Sequence, residues 1–237
     1  MMGYEMRKKV AILQSNYIPW KGYFDLIASV DEFILYDDMQ YTKRDWRNRN
    51  KIKTSDGVRW LSIPIEVKGK YFQSIQDTKV SDKIWIKKHW NSICQNYSKT
   101  RYFSHYKSLF EDLYLGSTDD SLSVINHRFI VAINEILGIT TKLTWSNAFV
   151  LTDGQSERLL KLCKDCGANE YISGPAAKDY LDESLFEENN IKVTWMDYSG
   201  YPEYEQRFPP FEHGVTILDL IFNEGPNAYK YMKGAKK

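Results

Sequence analysis

Residues 9–36, KVAILQSNYIPWKGYFDLIASVDEFILY, decide the fold. Lys9-Val10-Ala11-Ile12-Leu13 is apolar and partly β-branched and shows no helical period, the pattern of a strand buried on both faces. Gln14-Ser15-Asn16-Tyr17-Ile18-Pro19 breaks it, and Pro19 sits where a helix begins without needing its N–H. Over residues 20–30, Tyr23, Phe24, Ile27 and Val30 fall on one helical face. Glu32-Phe33-Ile34-Leu35-Tyr36 is a second strand, ending in Asp37-Asp38. Strand, tight loop, helix and strand within about 30 residues make a βαβ unit, whose crossover is right-handed and whose ligands gather at the carboxyl ends of the strands.

Outward from that unit, the spacing predicts strands over 60–67 (an edge, because of Pro64), 142–145, 170–172 and 192–196, with a short one within 74–82. The stretch 39–53 is polar and without period. Helices are expected over 83–97, 102–115 and 121–137, the last capped by Gly138, then over 157–166 and 215–222. The basic tail after Asn227 reads as frayed. Strands alternating with helices predict one α/β domain over 1–237, with a mostly parallel sheet and a helical subdomain over about 83–138.

Composition removes several classes. The chain has 237 residues, 43% apolar and 27% charged, which is globular rather than disordered or coiled-coil. Its 32 basic and 31 acidic residues leave a net charge of +1, so no global field draws nucleic acid or an anionic membrane. No apolar run approaches the roughly 20 residues that span a bilayer. The polar start does not read as a signal peptide, and three cysteines make no disulfide framework; both readings point to the cytoplasm. Aromatic residues reach 15%, with 17 Tyr and 7 Trp, which serves either a core or half-polar ligands such as sugars and bases.

Three loops carry the candidate chemistry, each at a predicted strand's carboxyl end. The first offers Gln14, Asn16, Tyr17, Trp20, Gly22 and Tyr23 beside a helix N-terminus, where backbone N–H groups attract phosphate; the alternative is a turn with its aromatic rings in the core. The second runs from Asp37 to Lys53, and between Lys43 and Lys53 it holds six basic residues against one carboxylate, Asp45. Arg44, Arg47, Arg49 and Lys51 suit phosphate or carboxylate, Asn48 and Asn50 suit sugar hydroxyls, and Trp46 suits a ring. Asp37 and Asp38 are placed to act as a base or to hold magnesium, with Lys43 alongside; the alternative is a solvated charged loop. The third is Ser173-Gly174 after a strand, where small residues permit close approach of a ligand; the alternative is a plain turn. Nearby, Tyr198, Tyr201, Glu203 and Tyr204 form a polar aromatic cluster, and Tyr201-Pro202 is a possible cis peptide. Cys163 and Cys166 form a lone CxxC late in a helix, with no second pair and no thioredoxin context. His89, His105, His127 and His213 lack ligand spacing, so no metal site is expected from them.

The blocks Gln14 to Tyr23-Phe24, Asp37-Asp38-Met39-Gln40-Tyr41 and Lys43-Arg44-Asp45-Trp46-Arg47-Asn48-Arg49-Asn50-Lys51-Ile52-Lys53 resemble the WbqC-like protein family. Trp60-Leu61-Ser62-Ile63-Pro64, Tyr171-Ile172-Ser173-Gly174 with Tyr180-Leu181, and Ile217-Leu218-Asp219-Leu220-Ile221-Phe222-Asn223 are similar to it too. The resemblance implies a role in assembly of bacterial surface polysaccharide such as O-antigen: transfer of an acyl or glycyl-type aminoacyl group to a nucleotide-linked amino sugar. ATP, acyl-CoA or magnesium are the cofactors compatible with that chemistry. Pro19-Trp20-Lys21-Gly22-Tyr23 also resembles the Pro-His-x-Gly-His loop of nucleotidylyltransferases, which implies a Rossmann-like sheet; Trp20 and Tyr23 stand in place of its two histidines. The alternatives are a non-catalytic nucleotide- or glycan-binding module and single-stranded nucleic-acid binding through the basic, Trp-bearing loop.

Overall fold

The structure is a computed structural model that describes residues 7–234. Its centre is a five-stranded sheet ordered β5-β2-β1-β6-β7, built from β1 (Lys9–Leu13), β2 (Glu32–Leu35), β5 (Lys142–Trp145), β6 (Glu170–Ser173) and β7 (Lys192–Trp195), with every pairing parallel. Alternate residues of the central strands face opposite layers. Val10, Ile12, Ile34, Tyr36 and Tyr171 pack with α5 (Gln155–Asp165) and α6 (Glu183–Glu187). Ala11, Phe33, Leu35 and Ile172 pack with α1 (Lys21–Ala28), α2 (Ile84–Tyr97), α3 (Phe103–Leu115), α4 (Leu122–Leu137) and α7 (Ile217–Glu224). The α/β expectation therefore holds, and helices cover both faces as a parallel sheet requires. Helices α2 to α4 supply the helical insertion and share one continuous core with the sheet and α1.

The order of the strands creates a switch point. The chain leaves β1 through α1 toward β2, and leaves β6 through α6 toward β7, in the opposite direction. Between the carboxyl ends of β1 and β6 the two crossovers part and leave a crevice.

Several expectations need correction. The polar stretch 39–53 ends in a strand, β3 (Arg49–Thr54), which pairs antiparallel with β4 (Gly57–Ser62). Its alternation was hidden because its outward positions are Arg49 and Lys51 and its inward ones include Asn50 beside Ile52. Pro64 lies outside β4, and the 74–82 stretch makes only isolated bridges. The basic tail is not frayed as far as it is described. Residues Gly225–Tyr231 form a 3₁₀ helix, and the Lys233 and Gly234 N–H groups donate to the buried Asp25 carboxylate; residues 235–237 lie outside the described residues. Among the described residues the cis bond is Pro209-Pro210, not Tyr201-Pro202.

One buried cluster ties the loop after β1 to α2 and α3. The Tyr17 hydroxyl meets His89 Nδ1 at 2.9 Å and the Tyr114 hydroxyl at 2.7 Å, inside a cage of Trp85 and Phe129. Burial pushes the His89 imidazole down to about 4 from an ordinary 6.5, against a hydrogen bond with the Ser62 backbone. The unfolded chain takes up this proton near pH 6.5 and the folded one only near pH 4, so stability falls as pH drops through that window. Between pH 7 and pH 5 the loss from His89 is about 2 kcal/mol. Urea unfolding at the two pH values checks it: His89→Gln, which keeps a partner for Tyr17, should flatten the dependence by about that amount.

Candidate functional site

The carboxyl rim of the sheet is held by one buried carboxylate. Asp37, at the end of β2, is fully buried; one oxygen accepts the Ser15 N–H at 2.7 Å and the other accepts the Ser123 hydroxyl from α4. Trp145 Nε1, at the end of β5, donates to the same Ser123 oxygen at 3.2 Å. Asn126 Nδ2 donates to Ser15 Oγ at 3.0 Å and to the Arg47 carbonyl at 2.9 Å. Burial pushes the Asp37 carboxyl up, opposed by hydrogen bonds from Ser123 and Ser15 and by the Arg47 charge. Strand ends β1, β2 and β5, helix α4 and the basic loop thus meet at one group.

Two cavities open beside the loop that this knot holds. The first, about 550 Å³, lies at the switch point. Gln14 comes from the end of β1, Ser173 and Gly174 from the end of β6, and Gly154, Gln155 and Arg158 from the start of α5, whose aligned N–H groups add partial positive charge. Arg158 is the cation of this cleft; it also reaches Asp38 at 3.4 Å and donates to the Thr152 carbonyl at 2.6 Å. The second cavity, about 310 Å³, lies on the α1 side and is lined by Asn16, Pro19, Trp20, Trp46, Asn50, His213 and Gly214. Tyr198 stands between them: its ring lies 5.3 Å from Trp20, and its hydroxyl would sit 3.8 Å from a Cβ at Gly174.

The residues expected at the site divide among several places. Gln14, Ser173 and Gly174 line the first cavity; Asn16, Trp20, Trp46 and Asn50 line the second. Arg47 borders the second by donating to Asn16 Oδ1. Gly22 serves the second indirectly, since a Cβ there would lie 2.3 Å from the Trp20 ring, which folds back over the helix start. Tyr23 is buried and donates to the Gln14 carbonyl at 3.0 Å.

Others are structural. Tyr17 is wholly in the core. Asn48 is spent on Tyr41 and the Ile63 carbonyl, and the Asn50 amide N–H groups on the Tyr17 and Ile18 carbonyls, so neither is free to hold a sugar as expected. Arg44, Arg49 and Lys51 lie outward. The Arg49 guanidinium stacks 4.1 Å from the Trp60 centroid and donates to the Arg44 carbonyl, and Lys51 lies over Trp60 and Trp46. Lys43 is exposed over Tyr71, away from both cavities. Asp37 has both oxygens engaged and Asp38 accepts from Ser146 and faces Arg158, so the pair presents no joint oxygen face for magnesium and no open base.

His213 was missed by spacing arguments. It reaches the second cavity because the 197–216 strap is tied down: the Thr216 N–H donates to the Lys51 carbonyl and the Ile217 N–H to the Pro19 carbonyl. Within the strap, Gln206 bonds both backbone groups of Glu212, while Tyr204, Gln206 and Tyr97 converge on the buried Asp219. His213 Nδ1 is buried and has no hydrogen-bond partner. Burial and the nearby Lys21 charge hold its imidazole below the usual range, so it is neutral near pH 7 and competent to accept a proton. Lys21 itself is brought down to about 8 by burial, with Tyr201 at 4.8 Å. The polar aromatic cluster over 198–204 was the one sequence signal that marked this strap.

The model of the WbqC-like protein family matches residues 14–231. The chain is 51% identical over 226 residues to the uncharacterized protein Rv1507c of Mycobacterium tuberculosis, which covers 95% of this chain and 98% of that protein. No solved structure matches.

Asp37→Ala strands the Ser15 N–H and the Ser123 hydroxyl and should cost about 2–4 kcal/mol, read by chemical denaturation. Gly22→Ala should shift tryptophan emission by moving Trp20 while the far-ultraviolet circular dichroism of the fold is unchanged.

Proposed function

We propose a function for this chain, which belongs to the WbqC-like protein family: it binds a nucleotide-linked amino sugar across the sheet rim and joins an acyl or aminoacyl group to the sugar amine, as a step of bacterial surface-polysaccharide assembly in the cytoplasm. The observation that carries this reading is the pair of cavities on either side of one rigid loop, the first cationic and the second aromatic with a neutral imidazole. In this assignment Arg158, Gln155 and Gly174 take the diphosphate, because a guanidinium and backbone N–H groups suit its oxygens. Trp20 and Trp46 take the sugar, whose apolar face packs on aromatic rings.

The chemistry asks for one proton acceptor. The donor in this reading is an acyl thioester of the acyl-CoA type: the amine nitrogen attacks its carbonyl, a C–N bond forms, the C–S bond breaks with its electron pair leaving on the thiolate, and His213 takes the amine proton and returns it to the thiolate. Asn16 and Arg47 lie close enough to the second cavity to orient the donor carbonyl oxygen. Holding donor and acceptor together would supply much of the rate. A nucleotidylyltransferase-like use of ATP lacks support in the first helix turn, where Trp20 and Tyr23 replace the histidines of that loop.

Thermal shift against nucleotide-linked amino sugars, ATP and acyl-CoA tests binding, because a ligand of the folded state raises the midpoint with its concentration over Kd. Arg158→Ala should abolish the shift from the sugar nucleotide. His213→Gln should keep that shift and lower amide formation about 100-fold, in line with loss of a general base. A sugar-nucleotide shift that survives Arg158→Ala refutes the assignment.

A further inference from the structure

We propose that the chain docks on an anionic membrane surface through the loop tip Lys68-Gly69-Lys70-Tyr71-Phe72 and the basic, aromatic band beside it. Phe72 is 89% exposed and Tyr71 70%, the most exposed aromatic pair among the described large apolar residues, and they are consecutive at the tip of a loop. A lone exposed Leu needs no explanation, whereas two adjacent aromatic rings projecting among lysines match what enters a bilayer interface: ring in the acyl boundary, ammonium at the headgroups.

The tip is built rather than loose. Gln40 Nε2 donates to the Tyr71 carbonyl at 2.8 Å, the Tyr41 N–H donates to the Gln73 carbonyl at 2.9 Å, and Gln73 Nε2 donates to the Glu66 carbonyl at 2.7 Å. A chain of contacts then runs from the tip to the second cavity. Lys43 lies 5.9 Å from the Tyr71 centroid, the neighbouring Arg44 carbonyl accepts from Arg49, Arg49 stacks on Trp60, and Trp60 lies 5.3 Å from Trp46, which lines the cavity. Trp46 and Trp60 are each about 40% exposed.

Charge selects the partner. The band's carboxylates are already matched, Asp45 by Arg47 at 3.7 Å and Glu66 by Lys70 at 2.5 Å. Lys43, Arg44 and Lys68 remain exposed without an ion pair among the described residues, a local excess that the whole-chain charge of +1 conceals. A bilayer is favoured over single-stranded nucleic acid because, among the described residues, Tyr71 has a lysine and not a second ring against it, so the tip offers no aromatic pair between which a base could stack, while Trp60 is covered by Arg49 and Lys51. Docked this way, the second cavity opens close to the headgroups. The inference stands apart from the acyl-transfer reading, because surface binding is measured without any sugar nucleotide.

Co-sedimentation of the full chain with phosphatidylcholine vesicles containing phosphatidylglycerol tests it, with pure phosphatidylcholine and a single-stranded oligonucleotide as parallel arms. Binding should rise with the anionic fraction and fall with salt. Tyr71→Ser with Phe72→Ser should weaken it about tenfold or more, and Lys43→Glu with Arg44→Glu by at least roughly five-fold per residue; both pairs are exposed, so thermal midpoints should stay unchanged. No anion-dependent vesicle binding at low salt overturns the proposal. So does undiminished binding by the Tyr71→Ser, Phe72→Ser variant, or retention on the oligonucleotide alone.

Discussion

The Asp37 carboxylate is the constraint on which the rim depends. A buried carboxylate is costly unless its oxygens are hydrogen-bonded, and here one oxygen accepts a backbone N–H from the β1 loop and the other a hydroxyl from α4. Those partners are in turn fixed by Trp145 and Asn126. The loop from Gln14 to Trp20 is therefore rigid before any ligand arrives, and the two cavities that flank it keep a fixed separation. A site of this kind gains affinity from order established during folding rather than from order imposed on binding.

The second node, Asp219, does for the 197–216 strap what Asp37 does for the rim. Tyr97 from α2 and Tyr204 and Gln206 from the strap satisfy it, and Lys53 lies near enough to oppose the upward push of burial on its carboxyl. Through that node the chain's late residues reach the first helix, and His213 comes to face Asn16 and Trp20 across the second cavity. The two carboxylates together explain why so polar a segment set is so ordered: polar groups are buried, but in matched networks.

The candidate site was legible in part. Strand ends followed by polar loops marked Gln14, Asn16 and Trp20, the basic loop marked Trp46, and the turn after a later strand marked Ser173 and Gly174. Tyr17, Asn48 and Asn50 misled because residue type does not say whether an amide or a hydroxyl is spent inside the fold. Asn50 is spent on two carbonyls of the β1 loop, Tyr17 on His89 and Tyr114. Arg158 and His213 went unread because a helix-borne arginine and an isolated histidine look like any others until folding brings a distant segment against them.

Hydrophobic period and chain punctuation by themselves determined the βαβ unit, the parallel α/β class and most element positions, because strands and helices buried in layers must show their period locally. The antiparallel β3-β4 pair escaped, since its outward face carries Arg49 and Lys51 stacked on tryptophan instead of an apolar row. Only the tertiary structure decided that the polar loops border two cavities rather than one, that Asp37 is a brace and not an open base, and that basic and aromatic side chains from 43, 60 and 71 form one band. Each of these depends on contacts between residues far apart in sequence, and the free energy of such contacts is set by burial and partner geometry, which no local pattern encodes.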